Sequence, residues 1–232
     1  MYHVVGSCGG SPVICEENFD RGELTAFSSD SESGGDGTDW SATPPEGWVQ
    51  NNDGVPAGGV DEFAGWTFLD PVSWNASAGQ ARDQFAKGRN VVAVADGDEW
   101  DDSSPGARME TFLTTPDIAL AGIGADTVTL QFDSSWRTEP QTGVVSVSFD
   151  GGELTQLLLY TSETPDALNE TVLLPINNPE GATSMAITFG YEAGNNWWWA
   201  IDNIEVTGNA PVILAQPEGV EAQAGEVIGL TV

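Results

Sequence analysis

Residues 144–160 read VVSVSFDGGELTQLLLY, and this stretch decides the fold class. Val144 to Phe149 alternates apolar with hydroxyl-bearing residues, so successive side chains fall on opposite faces of an extended strand. Asp150-Gly151-Gly152 then supplies residues that accept the backbone of a tight hairpin turn. Leu154 to Tyr160 follows as the returning strand. The same pattern recurs outward along the chain. Asp126 to Asp133, DTVTLQFD, sets Val128, Leu130 and Phe132 on one face. Asn90–Ala95, Glu170–Leu174, Ser184–Tyr191 and Trp197–Val206 add further strands between Gly, Pro, Asn and Asp clusters. No stretch carries sustained helical periodicity between caps. The expected class is all-β, with two antiparallel sheets packed as a sandwich. Ser28 to Gln84 is rich in Gly, Asp, Pro and Trp, and is expected to form long loops over one end.

Charge narrows the partners. The 232-residue chain carries 36 Asp plus Glu against 6 Lys plus Arg, a formal net charge of −30. Such a polyanion is repelled by phosphate backbones and anionic bilayers, so nucleic acid and membrane insertion are poor partners. Cations, neutral glycans and basic proteins remain, although much of the acidity reads as a solubility device. No apolar run is long enough to span a bilayer. Residues 1–15 lack the basic start and apolar core of an intact signal peptide. A secreted or cell-surface chain is expected, with its signal removed or as a fragment of something longer. Cys8 and Cys15 form either a small-loop disulfide or two free thiols. Their spacing is no zinc pattern, and the single His, His3, is too isolated to complete one.

Several motifs occur in a fixed order. Glu17-Asn18-Phe19-Asp20 is followed by Pro44-Pro45-Glu46-Gly47-Trp48, then Phe112-Leu113-Thr114-Thr115-Pro116, Val147-Ser148-Phe149-Asp150-Gly151-Gly152 and Trp199-Ala200-Ile201-Asp202-Asn203-Ile204. The ordered set resembles choice-of-anchor J and cleaved-adhesin domains, and more distantly the MAM domain. The resemblance implies a jelly-roll module over residues 17–208, preceded by an N-terminal segment, 1–16. It also implies bound calcium and a role in binding or adhesion. The insert from Asp30 to Asp83 is more elaborate than that pattern. Residues 209–232 include PVILAQPEGVEAQAGEVIGLTV, which resembles the opening strands of a bacterial immunoglobulin-like domain. Either the chain is cut from a multidomain protein, with neighbouring domains as partners, or the tail adds a strand pair to the main module.

Two constellations carry the expected chemistry. Asp96-Gly97-Asp98-Glu99-Trp100-Asp101-Asp102 crowds carboxylates directly after a strand, and calcium takes six to eight such oxygens. Period-2 alternation places Asp202 with Ile204 and Val206, so it is drawn inward if they are. A buried carboxylate needs compensation, and the chain has few cations to offer. The expected calcium set is therefore Asp96, Asp98, Glu99, Asp102 and Asp202, to which the resemblance adds Glu17 near the opening strand. Alternatively, Asp202 accepts backbone hydrogen bonds at a strand end. The run DSESGGDGTD before Trp40 lacks EF-hand spacing and reads as a solvated loop. The second constellation is aromatic, because the chain has 9 Trp. Alternation in Trp197-Trp198-Trp199 assigns Trp198 to the core and turns Trp197 and Trp199 the other way. With Asn195 and Asn196 at its edge, and Trp100 nearby, this would form a glycan platform. Core filling is the alternative. No G-x-S-x-G elbow or Ser/His/Asp set is present, so a non-catalytic binding module is expected. A protein-contacting adhesion module comes second, and a jelly-roll hydrolase or polysaccharide lyase third.

Overall fold

The computed structural model describes residues 13–20, 24–25, 39–103 and 105–209. His3, Cys8, most of the run before Trp40 and the tail from Pro211 lie outside these residues. The strands are β1 (Val13–Glu17), β2 (Trp40–Ser41), β3 (Val49–Gly54), β4 (Thr67–Leu69), β5 (Val92–Asp96), β6 (Met109–Thr114), β7 (Ile118–Ala119), β8 (Val128–Trp136), β9 (Thr142–Phe149), β10 (Thr155–Tyr160), β11 (Ala167–Ile176), β12 (Ser184–Ala193) and β13 (Trp198–Gly208). They form two antiparallel sheets, a jelly-roll sandwich as expected. The 7-stranded sheet runs β11-β8-β13-β5-β4-β2, with β1 added to β13. The 6-stranded sheet runs β10-β9-β12-β6-β3, with β7 added to β12.

The β9–β10 hairpin at the edge of this sheet closes as the residues dictate. Asp150 and Gly151 both take positive φ, 51° and 70°, which is the type I′ turn that suits strand twist. The Asp150 carboxylate accepts the Thr183 hydroxyl and the Thr183 and Ser184 N–H groups. These hydrogen bonds, led by that from the hydroxyl, hold its pKa below the usual carboxylate range. They also tie the turn to the start of β12.

Aromatic packing fills the space between the sheets. Trp199 of β13 meets Trp66, Phe132, Trp136, Tyr160 and Phe189, with ring centroids 5.6–6.5 Å apart. Its indole N–H donates to Ser134 Oγ at 3.1 Å, so the one polar atom is satisfied. Trp198 points to the other face of the same sheet and is equally buried. There it meets Trp74 edge-on at 5.6 Å.

Trp74 belongs to a helix that the periodicity reading missed. Residues 28–84, expected to be long loops, contain β2, β3, β4, two 3-10 turns (Asp61–Phe63 and Arg82–Gln84) and helix α1 (Pro71–Ala78). Asp70 caps α1, accepting from the N–H groups of Val72 and Ser73, and Pro71 occupies the first turn. Gly79, at φ 62°, ends it. A second short helix, α2 (Gly97–Asp101), continues directly from β5 and is capped by Asp96. Cys15, half-buried on β1, has its thiol pushed up to about 11 by burial and by Glu17 and Glu16.

Replacing Trp199 by Ala should remove the centre of the inter-sheet cluster and cost about 3–5 kcal/mol. Urea denaturation measures this, and a midpoint within error of wild type would contradict the packing described.

Candidate functional site

The expected calcium ligands separate into two groups. At the end of β5, Arg82 enters the acidic cluster. Its Nη2 lies 2.8 Å from Asp96, 3.3 Å from Asp98 and 3.0 Å from Glu99. Asp96 also accepts Arg82 Nε–H at 3.0 Å and the Trp74 indole N–H at 2.9 Å. The guanidinium carbon lies 4.5 Å from the centroid of the Trp198 ring. Burial works against the charge on Arg82, but Asp96 and Glu99 outweigh it and keep the guanidinium protonated. Burial and then Asp96 raise the pKa of Asp98, while Arg82 acts in the opposite direction. One oxygen from each of Asp96, Asp98 and Glu99 lies within 4.8 Å of the others, a spacing that would suit a metal. The guanidinium already stands among them, so this cluster does not fit one. Asp102 is exposed past the end of α2. The compensating cation is thus an arginine 14 residues upstream of Asp96, which the expectation of a metal overlooked.

Asp202 and Glu17 lie elsewhere. Asp96 pairs with Trp198 in the β5–β13 ladder. Four residues along β13, Asp202 is roughly 13 Å from that point. Asp202 is buried, but not on the face expected. Its ladder with β8 breaks between Asp202 and Glu205, and Asn203 adopts φ 50°. This bulge inserts one residue and reverses the alternation. Val206 pairs with Leu130 and faces the core, whereas Asp202 pairs with Asp133 on the outer face. Glu17, paired with Ile204, shares the opposite face from Asp202. Its Oε1 accepts the N–H groups of Asn18 and Phe19, closing the end of β1.

Around Asp202 the segment 87–91 is clasped by carboxylates. Asp202 accepts N–H from Arg89 at 3.0 Å and from Asn203 at 2.7 Å. Asp20 accepts from Val91 N–H and the Asn90 amide. Asp133 accepts the Asn203 amide and lies 3.5 Å from the Lys87 ammonium. Burial pushes the Asp202 carboxyl up to about 7, against its two N–H donors and with help from Asp20 and Asp133.

The expected aromatic platform is mostly core. Trp199 and Trp100 are both fully buried, leaving no ring face for a ligand. Around Trp198 and Trp199 the seven-stranded sheet is covered on both sides, so alternation alone exposes neither ring. Trp197 is half-buried, and the Arg137 guanidinium covers one ring face at 3.6 Å. Asn196 donates to Glu139 at 3.2 Å, and Asn195 is exposed. Nearby, Gln84, Arg137, Asp166, Leu168 and Asn169 border an open cavity of about 580 Å³ that has no aromatic floor.

A different surface combines a ring with hydrogen-bonding groups. Val145, Val147, Phe189 and Leu113 of the six-stranded sheet point into the core. Their neighbours form ordered rows across the outer face. One row runs Leu159, Val144, Gly190, Phe112, Asn51. The adjacent row runs Gln156, Ser146, Thr188, Thr114, Val49. Phe112 is half-buried, and its Cδ1 and Cε1 lie 2.9 Å from where a Cβ on Gly190 would stand. Thr114 and Thr188 share a hydroxyl–hydroxyl hydrogen bond of 3.0 Å. On the other side of the Phe112 row, Glu110 pairs directly with Glu192, which Arg108 meets at 3.1 Å.

No protein-family model matches the chain, and no curated protein does. Solved structures give partial likenesses. TmCBM61, solved in complex with β-1,4-galactotriose, shares 13% identity over 83% of this chain and 99% of its own, with a TM-score of 0.45. The K3 cleaved adhesin domain of Lys-gingipain from Porphyromonas gingivalis shares 14% over 70% of this chain and 93% of its own, at 0.41. The CBM22-1–GH10 modules of Clostridium thermocellum xylanase 10B, complexed with xylohexaose, share 8% over 87% of this chain and 29% of their own, at 0.43.

Arg82→Met should leave the buried carboxylates without compensation and destabilise the protein by about 3–5 kcal/mol at pH 7. Thermal melts measured from pH 7 to pH 4 should show the deficit shrinking as carboxylates take up protons. Wild-type stability at pH 7 would show that Arg82 is dispensable.

Proposed function

We propose that the chain is a non-catalytic carbohydrate-binding module of a secreted, multidomain bacterial protein, and that a neutral glycan lies along the outer face of its six-stranded sheet. The observation that carries this reading is the juxtaposition of two rows, one apolar around Phe112 and one rich in hydroxyls and an amide. A pyranose ring has an apolar C–H face and a rim of hydroxyls. Phe112 offers the first a flat aromatic partner, while Thr114, Gln156 and Asn51 offer donors and acceptors to the second, with Ser146 and Thr188 buried between them. The rows contain no Lys or Arg, and the chain carries a net charge of −30. Uronates and phosphorylated ligands therefore find no counter-charge there and are repelled at long range. Exposed Val49 and Leu159, at opposite ends of the two rows, favour a protein-contacting adhesion module as the second reading.

Calcium stabilisation belongs to the same proposal. Asp20 and Asp133 both act on the Asp202 carboxyl, so three carboxylates crowd the segment 87–91, and carboxylate oxygens are the donors a hard cation takes. Among the described residues the only ion pair there is that of Lys87 with Asp133. An ion over Asp202 would offset the crowding of like charges and keep that carboxylate ionised. Its role would be structural, bracing the segment 87–91 against β13.

Phe112→Ala should weaken binding of soluble neutral polysaccharides by roughly 1–3 kcal/mol, by analogy with other aromatic stacking contacts. The protein should remain folded, with only the loss of the Phe112–Gly190 contact showing in the melt. Isothermal calorimetry against galactan, xylan and glucan reads this, and an unchanged affinity for every ligand bound by wild type would move the site elsewhere. Turnover of any of them, abolished by Glu110→Gln, would replace a binding module with a hydrolase.

The second expectation concerns pH. The Asp202 pKa in the folded protein, about 7, lies above its ordinary value of 3.8. Its contribution to stability is therefore fully present below about pH 4 and lost as pH rises through about 7. After chelation, the melting temperature should fall over this window more in wild type than in Asp202→Asn, and added calcium should restore it in wild type. Identical pH profiles for the two proteins, with no effect of calcium on either, would refute both the burial cost and the ion.

A further inference from the structure

We propose that Asp39 and Asp70 form a separate binding site for a hard divalent cation, with calcium the ion that best suits its chemistry. The two residues face each other across a ladder. Trp40 pairs with Leu69 and Ser41 with Phe68, and the Asp70 N–H donates to the Asp39 carbonyl at 2.8 Å. Continuing this register places Asp39 directly opposite Asp70, with Cα atoms about 5.5 Å apart. Side chains of directly opposed residues leave the ladder on the same side, and like charges in that position repel.

The burial of Asp39 makes the arrangement costly. It is 0% exposed, and neither carboxylate oxygen has a hydrogen-bond partner. Among the described ion pairs, none involves Asp39 or Asp70. Asp70 Oδ1 is committed to the start of α1, accepting Val72 N–H at 2.7 Å and Ser73 N–H at 3.1 Å. An ionised carboxylate buried with no donor and no counter-charge is not sustained. A cation there would supply the missing counter-charge, and the facing carboxylate offers it a second charged ligand on the same side. An oxygen-only donor set selects calcium over zinc or copper. The ion would join the β2–β4 ladder to the N-terminus of α1, whose Trp74 covers Trp198 and donates to Asp96. This site is distinct from the one at Asp202 and does not depend on the glycan reading.

The test compares chelator-treated wild type, Asp39→Asn and Asp202→Asn by calcium titration calorimetry and thermal melting, in enough KCl to screen diffuse surface charge. Asp39→Asn should lose one calcium per chain, or bind it at least about tenfold more weakly, and lose part of the calcium-induced rise in melting temperature. Without calcium it should be at least as stable as wild type, because no charge is then buried. Asp202→Asn should retain this ion. Should Asp39→Asn fail to fold, Asp70→Asn takes its place, since Asn preserves the helix cap. Equal stoichiometry and affinity in wild type and Asp39→Asn would overturn the proposal. So would a wild type that binds no calcium. Glycan titrations on the same variants read the carbohydrate proposal independently.

Discussion

Arg82 is the pin that fastens the outer cover of this sandwich to its sheet. A sheet in a jelly roll is usually expected to bury one face and wet the other. Here the seven-stranded sheet buries both around β13, because Trp198 and Trp199 on successive positions each need cover. The six-stranded sheet covers Trp199. Trp198 depends on α1 and the turn at Arg82–Gln84, short elements with little apolar area of their own. The guanidinium joins that turn to Asp96 at the end of β5 and to Asp98 and Glu99 of α2. It also lies over the Trp198 ring. Ion pairs this deep often break even against an apolar core of equal volume. What Arg82 adds is geometry, since a planar fork among three carboxylates allows few other arrangements of the segments that carry them.

Many of the strands were legible in the amino-acid pattern, and the failures have specific causes. Val145, Val147, Leu130 and Phe132 alternate with polar neighbours, so their strands and inward faces follow from period 2 alone. The turn at Asp150-Gly151 was legible for the same reason: few residues tolerate two positive φ values in succession. Helix α1 escaped because eight residues cover barely two turns, too few for a 3.6-residue period to emerge. Its cap, Asp70 followed by Pro71, was the signal available. The face of Asp202 was misjudged because alternation was carried through Asn203, where a bulge reverses it. The aromatic platform failed because alternation says which side a ring takes but not whether that side is covered.

The distribution of charge follows from the same economy of cations. Arg82 is spent inside the protein, Lys87 on Asp133, Arg108 on Glu192 and Arg137 on the Trp197 ring. Little positive charge is left to face outward, so the surface field is almost wholly negative. In such a field anionic ligands are penalised, whereas a neutral one recognised at short range is not. On the proposed reading, the outer face of the six-stranded sheet would supply that recognition through its ring and hydroxyls. The candidate ligand face lay unread in the strands because its residues, Ser146, Thr188 and Thr114 among them, are the polar halves of alternating runs. Alternation assigns such residues to solvent without asking what they could hold.

Gly190 and Phe112 share one consequence that concerns descent more than energy. The aromatic ring rests where a side chain at 190 would otherwise stand, on neighbouring strands joined by the ladder between β6 and β12. Neither position can drift alone. A larger residue at 190 would evict the ring, and a small residue at 112 would leave the glycine as a gap in a strand with no compensating contact. The two positions should therefore be inherited as a pair. Lineages that abandon the proposed ligand face would be recognisable by the loss of both together, while the rest of the sandwich continues unchanged.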